Sequence, residues 1–168
     1  MTNKYRAGDS QVDKLIVLGL GLLGASMCAA AKKLGLANEI IGISRRQSTI
    51  EIAHAKEIID KSSDSLATLA GNFGEDDLLV LAVPTLAMKS VISECQEHVP
   101  PSVTITDVAS VKTKIIEFAE QAYSDIPKNF VPGHPIAGSE KSGINAANPD
   151  LFKNHKIIKI FQRENFEK

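Results

Sequence analysis

The sequence predicts an α/β fold, a doubly wound and mostly parallel sheet with helices on both faces. Short apolar runs alternate with longer segments of helical periodicity, which is typical of repeated β-α-β units. Where the first apolar run passes into the first helical segment, residues 19–24 read G-x-G-x-x-G. The 168 residues, 43% of them hydrophobic, suffice for one domain with a sizeable core.

Two β-α units are expected at the start of the chain. Residues 14–18 and 39–43 are apolar runs of strand length. The helical segment Leu22–Leu34 lies between them and is followed by a glycine, a common helix stop. Ser48 and Glu51 have the S-x-x-E spacing of a capping box, which predicts that a second helix begins there.

Three further strands complete the predicted sheet. Their apolar runs are bounded by prolines or turn residues, and helical segments fill the two intervals between them. The strands are expected at 77–83, 103–106 and 130–131, and the helices at 86–97 and 111–123. We therefore predict a single domain over residues 13–161, flanked by polar tails at 1–12 and 162–168.

Composition argues against several classes of partner and site. Nineteen basic residues against twenty acidic ones leave a net charge of −1, which offers no electrostatic footprint for nucleic acid or an anionic membrane. Cys28 and Cys95 lie in apolar helical runs, without metal-ligand or disulfide spacing. We therefore expect a cytoplasmic protein without a metal, in which both cysteines fill the core.

The uncharged stretch 15–31 resembles a secretion signal, because basic residues precede it and small residues end it. Glycines at positions 19, 21 and 24 interrupt it at the spacing of a phosphate-binding turn. This spacing favours a soluble protein.

The glycines indicate a dinucleotide-binding domain of the Rossmann type. Gly19 permits the tight turn, Gly21 lets the backbone approach a pyrophosphate, and Gly24 lets the helix pack against the strand. The start of the helix then offers free N–H groups and a positive dipole to the phosphates. The alternative is an ordinary strand–helix turn that happens to contain three glycines.

The residues after the second predicted strand favour NADP over NAD. An NAD site usually has an acidic residue there, which accepts the ribose hydroxyls. This chain has Ser44, Arg45 and Arg46, and a hydroxyl with two guanidiniums can bind a 2′-phosphate that a carboxylate would repel. The alternative is a pair of solvated surface arginines.

Two further segments carry candidate chemistry. Ser110 follows the strand at 103–106, where it can cap the next helix or offer its hydroxyl near a nicotinamide. His134 lies in the glycine- and proline-broken segment 133–143, which we expect to be an irregular loop. An imidazole titrates near neutrality and can accept a proton there, although it could also simply bond the backbone. The other histidines lie in polar surroundings and are expected to be solvated.

Four segments together resemble the nucleotide-binding half of the prephenate and arogenate dehydrogenases, enzymes of tyrosine biosynthesis. They read VLGLGLLGAS at 17–26, LAVP at 81–84, TDVASVK at 106–112 and GHPIAGSEKSG at 133–143. The last two, in this order after a glycine fingerprint, are the more specific part of the resemblance.

The resemblance implies the NAD(P)-dependent oxidative decarboxylation of a small molecule, prephenate to 4-hydroxyphenylpyruvate or arogenate to tyrosine. The family's catalytic base maps to His134, its substrate- and nicotinamide-contacting serine to Ser110, and a glutamate at the active-site mouth to Glu140. The residues assigned to the cofactor, with NADP preferred, are Gly19, Gly21, Leu22, Leu23, Gly24, Ser44, Arg45, Arg46, Val83 and Pro84.

The sequence also departs from this family. Family members continue into an all-helical domain, which forms their homodimer and supplies an arginine for the substrate's carboxylate. Here the sequence ends at Lys168, and its last apolar run lacks the Thr-Pro that follows in the family. We expect a truncated or frame-shifted product or a fragment. The alternative functions are a dinucleotide-binding module without turnover and another NADP-dependent dehydrogenase, such as one acting on β-hydroxy acids.

Overall fold

The computed structural model describes residues 12–159, in which six parallel strands form the main sheet. The spatial order is β3-β2-β1-β4-β5-β6, so the direction of winding reverses between β1 and β4. The strands are β1 (Val12–Leu18), β2 (Ala37–Ile43), β3 (Lys61–Ser63), β4 (Leu78–Leu81), β5 (Thr104–Asp107) and β6 (Phe130–Val131). The predicted fold class, a doubly wound Rossmann-type sheet, is confirmed.

Within the described residues, four helices connect these strands, with a 3₁₀ turn at Ala67–Leu69 between β3 and β4 and another at Ile144–Ala146 after β6. They are α1 (Leu22–Leu34), α2 (Gln47–Ala55), α3 (Thr85–His98) and α4 (Lys112–Tyr123). α1 has the predicted bounds, and it ends at Gly35 because that residue adopts φ 63°, a left-handed conformation that glycine reaches without strain.

Helices cover both faces of the sheet, and the apolar side chains of β1 point alternately into the two cores that result. Ile16 and Leu18 face a core that includes α3 and α4, whereas Leu15 and Val17 face a core that includes α1 and α2. Each large side chain buried in this way contributes about 1.5–3 kcal/mol of transfer free energy. Two packed layers on one sheet leave the carboxyl ends of the strands open for a ligand.

The start of α2 differs from the prediction. The helix begins at Gln47 after Arg46, and no side chain bonds its free N–H groups, so the predicted capping box of Ser48 and Glu51 is wrong. Ser48 already lies inside the first turn. The Ser44 hydroxyl instead accepts a hydrogen bond from the Arg46 N–H at 3.2 Å, which shapes the turn before the helix.

The expected irregular loop at His134 contains a short strand. β7 (Gly133–Pro135) pairs antiparallel with β8 (Ile157–Lys159) in a separate two-stranded sheet, with His134 opposite Ile158. The prediction was wrong because glycine and proline at strand ends do not prevent pairing. Of the last apolar run, residues 160 and 161 lie outside the described chain, as do the tail at 162–168 and most of that at 1–12.

Both cysteines are buried, as predicted from the apolar runs that contain them. Burial raises the pKa of Cys28 and of Cys95 to about 12, which keeps both thiols protonated at neutral pH.

Within residues 12–159, no helix has the length and apolar character needed to cross a membrane.

The Tyr123 hydroxyl at the end of α4 is buried without a hydrogen-bond partner among the described residues, and burial raises its pKa. We expect Tyr123→Phe to leave the free energy of unfolding unchanged or to raise it by about 1 kcal/mol, because the variant removes an unsatisfied polar group. Urea denaturation of both proteins measures the difference in the free energy of unfolding, provided that this free energy falls with urea concentration at the same slope in each. A loss of more than about 1 kcal/mol would show that the hydroxyl has a bound partner.

Candidate cofactor and catalytic site

A cleft of about 880 Å³ opens at the carboxyl ends of the parallel strands. The segments that follow β1, β2, β3, β4 and β5 all contribute to its walls, so it lies where the winding of the sheet reverses. The predicted cofactor residues that line it are Gly19, Gly21, Leu22, Leu23, Ser44, Arg45, Arg46, Val83 and Pro84. Gly24 is buried behind this wall.

The turn between β1 and α1 has the geometry that the glycine spacing predicts. Gly19 adopts φ 102°, and a Cβ there would lie 2.5 Å from the carbonyl oxygen of Ala82. A Cβ on Gly24 would lie 2.0 Å from the carbonyl oxygen of Gly19, so α1 packs directly onto the turn. A Cβ on Gly21 would meet nothing within 4 Å. Gly21 therefore leaves open space at the cleft, which fits the close approach of a phosphate.

The start of α1 can receive an anion. Gly21 occupies the position before the helix, and no side chain bonds the N–H groups of the first turn. Leu22 and Leu23, the first two helical residues, line the cleft. The first turn also contains no acidic side chain that would oppose a phosphate.

The cleft wall after β2 carries positive charge. Arg45 and Arg46 are both exposed, and neither guanidinium forms an ion pair with a carboxylate of residues 12–159.

Asp64, which follows β3, also lines this cleft and was not predicted. Its carboxylate accepts hydrogen bonds from the hydroxyls of Thr68 at 2.8 Å and Ser65 at 3.3 Å, and these bonds lower its pKa. No local sequence pattern marks Asp64 as a residue of the cleft.

Ser110 lines the cleft from the turn after β5. It does not cap the next helix, because α4 begins at Lys112, preceded by Val111, and has no side-chain cap. The capping role was therefore wrong. The Ser110 side chain is exposed on the cleft wall, and its contact with a nicotinamide stays a prediction.

His134 lies on β7 and is half-buried. Its Nδ1 atom is buried and has no hydrogen-bond partner among the described residues, so this nitrogen does not bond the backbone. The side chain lines a second, shallower depression of about 370 Å³, together with His155 and the segment from Pro135 to Gly138. Ser110 and His134 therefore border two different depressions. Glu140 is exposed and borders neither.

The segment after the histidine returns to the cleft, which the sequence did not indicate. Gly143 and Ile144 line the cleft, and the Ile144 side chain packs into the core that includes α1 and α2. The N–H of Asn148 donates to the buried Ser26 hydroxyl on α1 at 2.9 Å. Gly143 and Ile144 thereby form part of the cleft wall, and the Asn148 bond holds the following residues against α1.

A buried ion pair lies between the Ser110 turn and the His134 strand. Asp107, the last residue of β5, contacts the Lys112 ammonium, and its side chain is fully enclosed. Sequence reasoning missed this pair, although both residues belong to the TDVASVK segment.

Within residues 12–159, no group of three or more His, Cys, Asp or Glu side chains is placed to hold a metal ion.

Known proteins with similar sequences are dehydrogenases. The chain is 37% identical over 142 residues to a prephenate dehydrogenase of Lactococcus lactis, covering 84% of this chain and 39% of that protein. It is 34% identical over 145 residues to one of Bacillus subtilis, covering 84% of this chain and 38% of that protein. The chain thus spans less than half the length of these curated relatives.

Two solved structures with a similar fold are also prephenate or arogenate dehydrogenases. A prephenate dehydrogenase of A. aeolicus, crystallised with hydroxyphenyl propionate and NAD⁺, matches with a TM-score of 0.81 at 27% identity, over 92% of this chain and 52% of that one. An arogenate dehydrogenase of Synechocystis matches with a TM-score of 0.74 at 34% identity, over 87% of this chain and 49% of that one.

The match to a family model covers the greater part of the domain. Residues 27–160 match the family described as prephenate dehydrogenase, nucleotide-binding domain. This range extends from within α1 to the end of the described β8, and it includes Ser110 and His134. The chain therefore belongs to the prephenate dehydrogenase nucleotide-binding domain family.

Proposed function

We propose that this chain binds NAD(P) and contributes to the oxidative decarboxylation of prephenate or arogenate. The observation that carries the proposal is the cleft at the winding reversal, which a glycine turn, an uncapped helix start and Ser110 line together. The open space at Gly21 supports the fit of a pyrophosphate, because any side chain there would project into that space. Family membership and the named activities of the relatives support the reaction class.

The residues have distinct proposed roles. A bound nicotinamide would accept the hydride that leaves the ring carbon of the substrate. His134 would accept the proton of the ring hydroxyl on that carbon through Nε2, because its Nδ1 is buried. Ser110 would contact the substrate and the nicotinamide, and Glu140 would lie at the mouth. Loss of the ring carboxylate as carbon dioxide makes the product ring aromatic.

The two depressions limit what the described residues can do alone. Ser110 and His134 border different depressions, so a substrate that contacts both must lie between the cleft and the smaller depression. This arrangement favours, as a second candidate, a dinucleotide-binding module without turnover of its own. Formation of NADPH or NADH by this chain with prephenate or arogenate would contradict that alternative. Cofactor binding without any such turnover would support it.

We further propose that NADP is preferred over NAD. Two exposed guanidiniums without carboxylate partners in the described chain border the cleft beside Ser44, and arginine can hold a phosphate with two parallel hydrogen bonds. Asp64 borders the same cleft, and both of its hydroxyl donors bond Oδ1, so its single negative charge faces two guanidiniums. A 2′-phosphate therefore meets more positive than negative charge on this wall.

Arg45→Ala is expected to weaken NADPH binding by about tenfold and to leave NADH binding within about twofold, because only NADPH carries the 2′-phosphate. Titration of both cofactors against one preparation, followed by nicotinamide fluorescence, measures the ratio. Lys33→Ala is the control, since Lys33 is exposed, pairs with Asp150 and does not line the cleft. An unchanged NADPH/NADH ratio in Arg45→Ala would contradict the proposed preference.

A further inference from the structure

We propose that Asp107 and Lys112 are positioning residues that hold the Ser110 turn and the His134 strand in one fixed arrangement. This inference rests on the proposed function, because it concerns the two side chains to which the chemistry is assigned there. Neither Asp107 nor Lys112 lines the cleft or the smaller depression. Both act through the backbone segments that they bond.

The Asp107 carboxylate bonds the backbone immediately before each proposed site residue. Its Oδ2 accepts a hydrogen bond from the N–H of Ala109 at 2.9 Å, and Ala109 directly precedes Ser110. Its Oδ1 accepts from the N–H of Gly133 at 3.2 Å, and Gly133 directly precedes His134. One enclosed side chain at the end of β5 therefore fixes the distance between the two segments.

Lys112 completes the connection at the first residue of α4. Its ammonium contacts Oδ2 of Asp107 and donates to the carbonyl oxygen of Gly133 at 2.6 Å. That carbonyl belongs to the peptide bond that joins Gly133 to His134. A carboxylate only accepts hydrogen bonds, so Asp107 alone could not hold it. Gly133 is thus held by its N–H and by its C=O.

The backbone spacing leaves no freedom at this point. A Cβ on Gly133 would lie 2.9 Å from the carbonyl oxygen of Asp107 and 3.0 Å from the Thr106 hydroxyl, so β7 lies directly against β5. The Thr106 hydroxyl in turn donates to the carbonyl oxygen of Val131 at 2.7 Å. This bond ties β6 to β5 two residues before β7 begins, and the close approach at Gly133 continues the attachment into the strand that carries His134.

Stability alone does not account for a buried ion pair here. The Lys112 side chain is 12% exposed and that of Asp107 is 0% exposed, and burial lowers the pKa of Lys112 although Asp107 opposes this change. Burying two charges costs enough desolvation that apolar side chains of similar volume often stabilise a protein equally well. Apolar side chains, however, could not fix the direction of the Gly133 peptide.

The test replaces Lys112 with methionine, which keeps the apolar stem and removes the ammonium. We expect amide hydrogen exchange at Gly133 to accelerate at least about tenfold, because the strand opens locally more often. The rate at which diethyl pyrocarbonate modifies His134, relative to exposed His54 in the same sample, should rise at least about threefold for the same reason. Lys112→Arg keeps the charge and should restore both values at least partly.

A matched control removes another lysine that pairs with a buried aspartate. Lys14 bonds Asp77 at 3.2 Å at the start of β4, the opposite end of the sheet from the cleft. Lys14→Met should lower the melting temperature but leave Gly133 exchange and His134 modification at wild-type values. If Lys112→Met does not fold, Asp107→Asn, which keeps the side-chain shape, is compared with Asp77→Asn in the same way.

Two results would overturn the proposal. One is a Lys112→Met protein that melts earlier yet keeps both wild-type rates, and the other is an equal change in Lys14→Met. Neither readout requires a cofactor or turnover. Failure of the wild-type chain to bind NADPH or NADH would therefore contradict the proposed function and leave the outcome for Asp107 and Lys112 unaffected.

Discussion

Gly24→Ala is expected to destabilise the domain by about 3 kcal/mol or more and to abolish detectable binding of NADPH and NADH. The added Cβ would lie 2.0 Å from the carbonyl oxygen of Gly19 and 3.0 Å from Cγ1 of Val17. A backbone oxygen cannot move aside as a flexible side chain can, so α1 must shift away from β1. That shift would displace the helix start that is proposed to receive the pyrophosphate.

Gly21→Ala separates the two effects of a glycine in this turn. Position 21 has φ −76° and open space around its Cβ, so alanine there should leave the free energy of unfolding within about 1 kcal/mol. The methyl group would nevertheless project where a phosphate approaches, and we expect dinucleotide affinity to fall by about tenfold or more. Urea unfolding and fluorescence titration measure the two quantities on one preparation.

The opposite pattern would contradict this interpretation of the turn. Gly24→Ala should lose both stability and binding, whereas Gly21→Ala should lose binding and keep its stability. If Gly24→Ala unfolds at the wild-type urea concentration, the contact between α1 and the turn tolerates a side chain. If Gly21→Ala binds NADPH with wild-type affinity, the dinucleotide does not approach the backbone at Gly21.

Features that depend on neighbouring residues could be predicted from the sequence. The bounds of α1, its glycine stop and the steric roles of Gly19 and Gly24 follow from local conformational limits, and the structure agrees with each. The parallel sheet could be predicted because a buried strand must be apolar on both faces, as β1 and β4 are. The capping box failed because α2 begins at Gln47, which places Ser48 inside the first turn and not before it.

Features that depend on distant residues could not be predicted in this way. The strand at His134 exists because residues 157–159 pair with it, and no local pattern reports such a partner. Asp107 bonds Ala109 two residues away but also Gly133, 26 residues away, so its central position is visible only in the fold. Asp64 reaches the cleft because β3 is the edge strand beside β2.

His134→Ala is expected to lower turnover of prephenate or arogenate by about 10²–10⁴-fold, the usual contribution of a positioned general base. Its effect on stability should be small, because the Nδ1 atom makes no hydrogen bond within the described chain that the substitution could remove. Dinucleotide affinity should also be unchanged, since His134 does not line the cleft. The measurements are initial rates of NADPH or NADH formation, a cofactor titration and thermal melting.

His155→Ala is the matched control for this prediction. His155 borders the same depression as His134, but its Nδ1 lies 3.0 Å from the carbonyl oxygen of Lys153, consistent with a local hydrogen bond. If His134 is the base, its loss should slow turnover while loss of His155 should change the rate by no more than about threefold. Equal losses in the two variants would instead indicate that the shape of the depression matters and that His134 has no special role in proton transfer. Wild-type turnover in His134→Ala would assign the base to another residue.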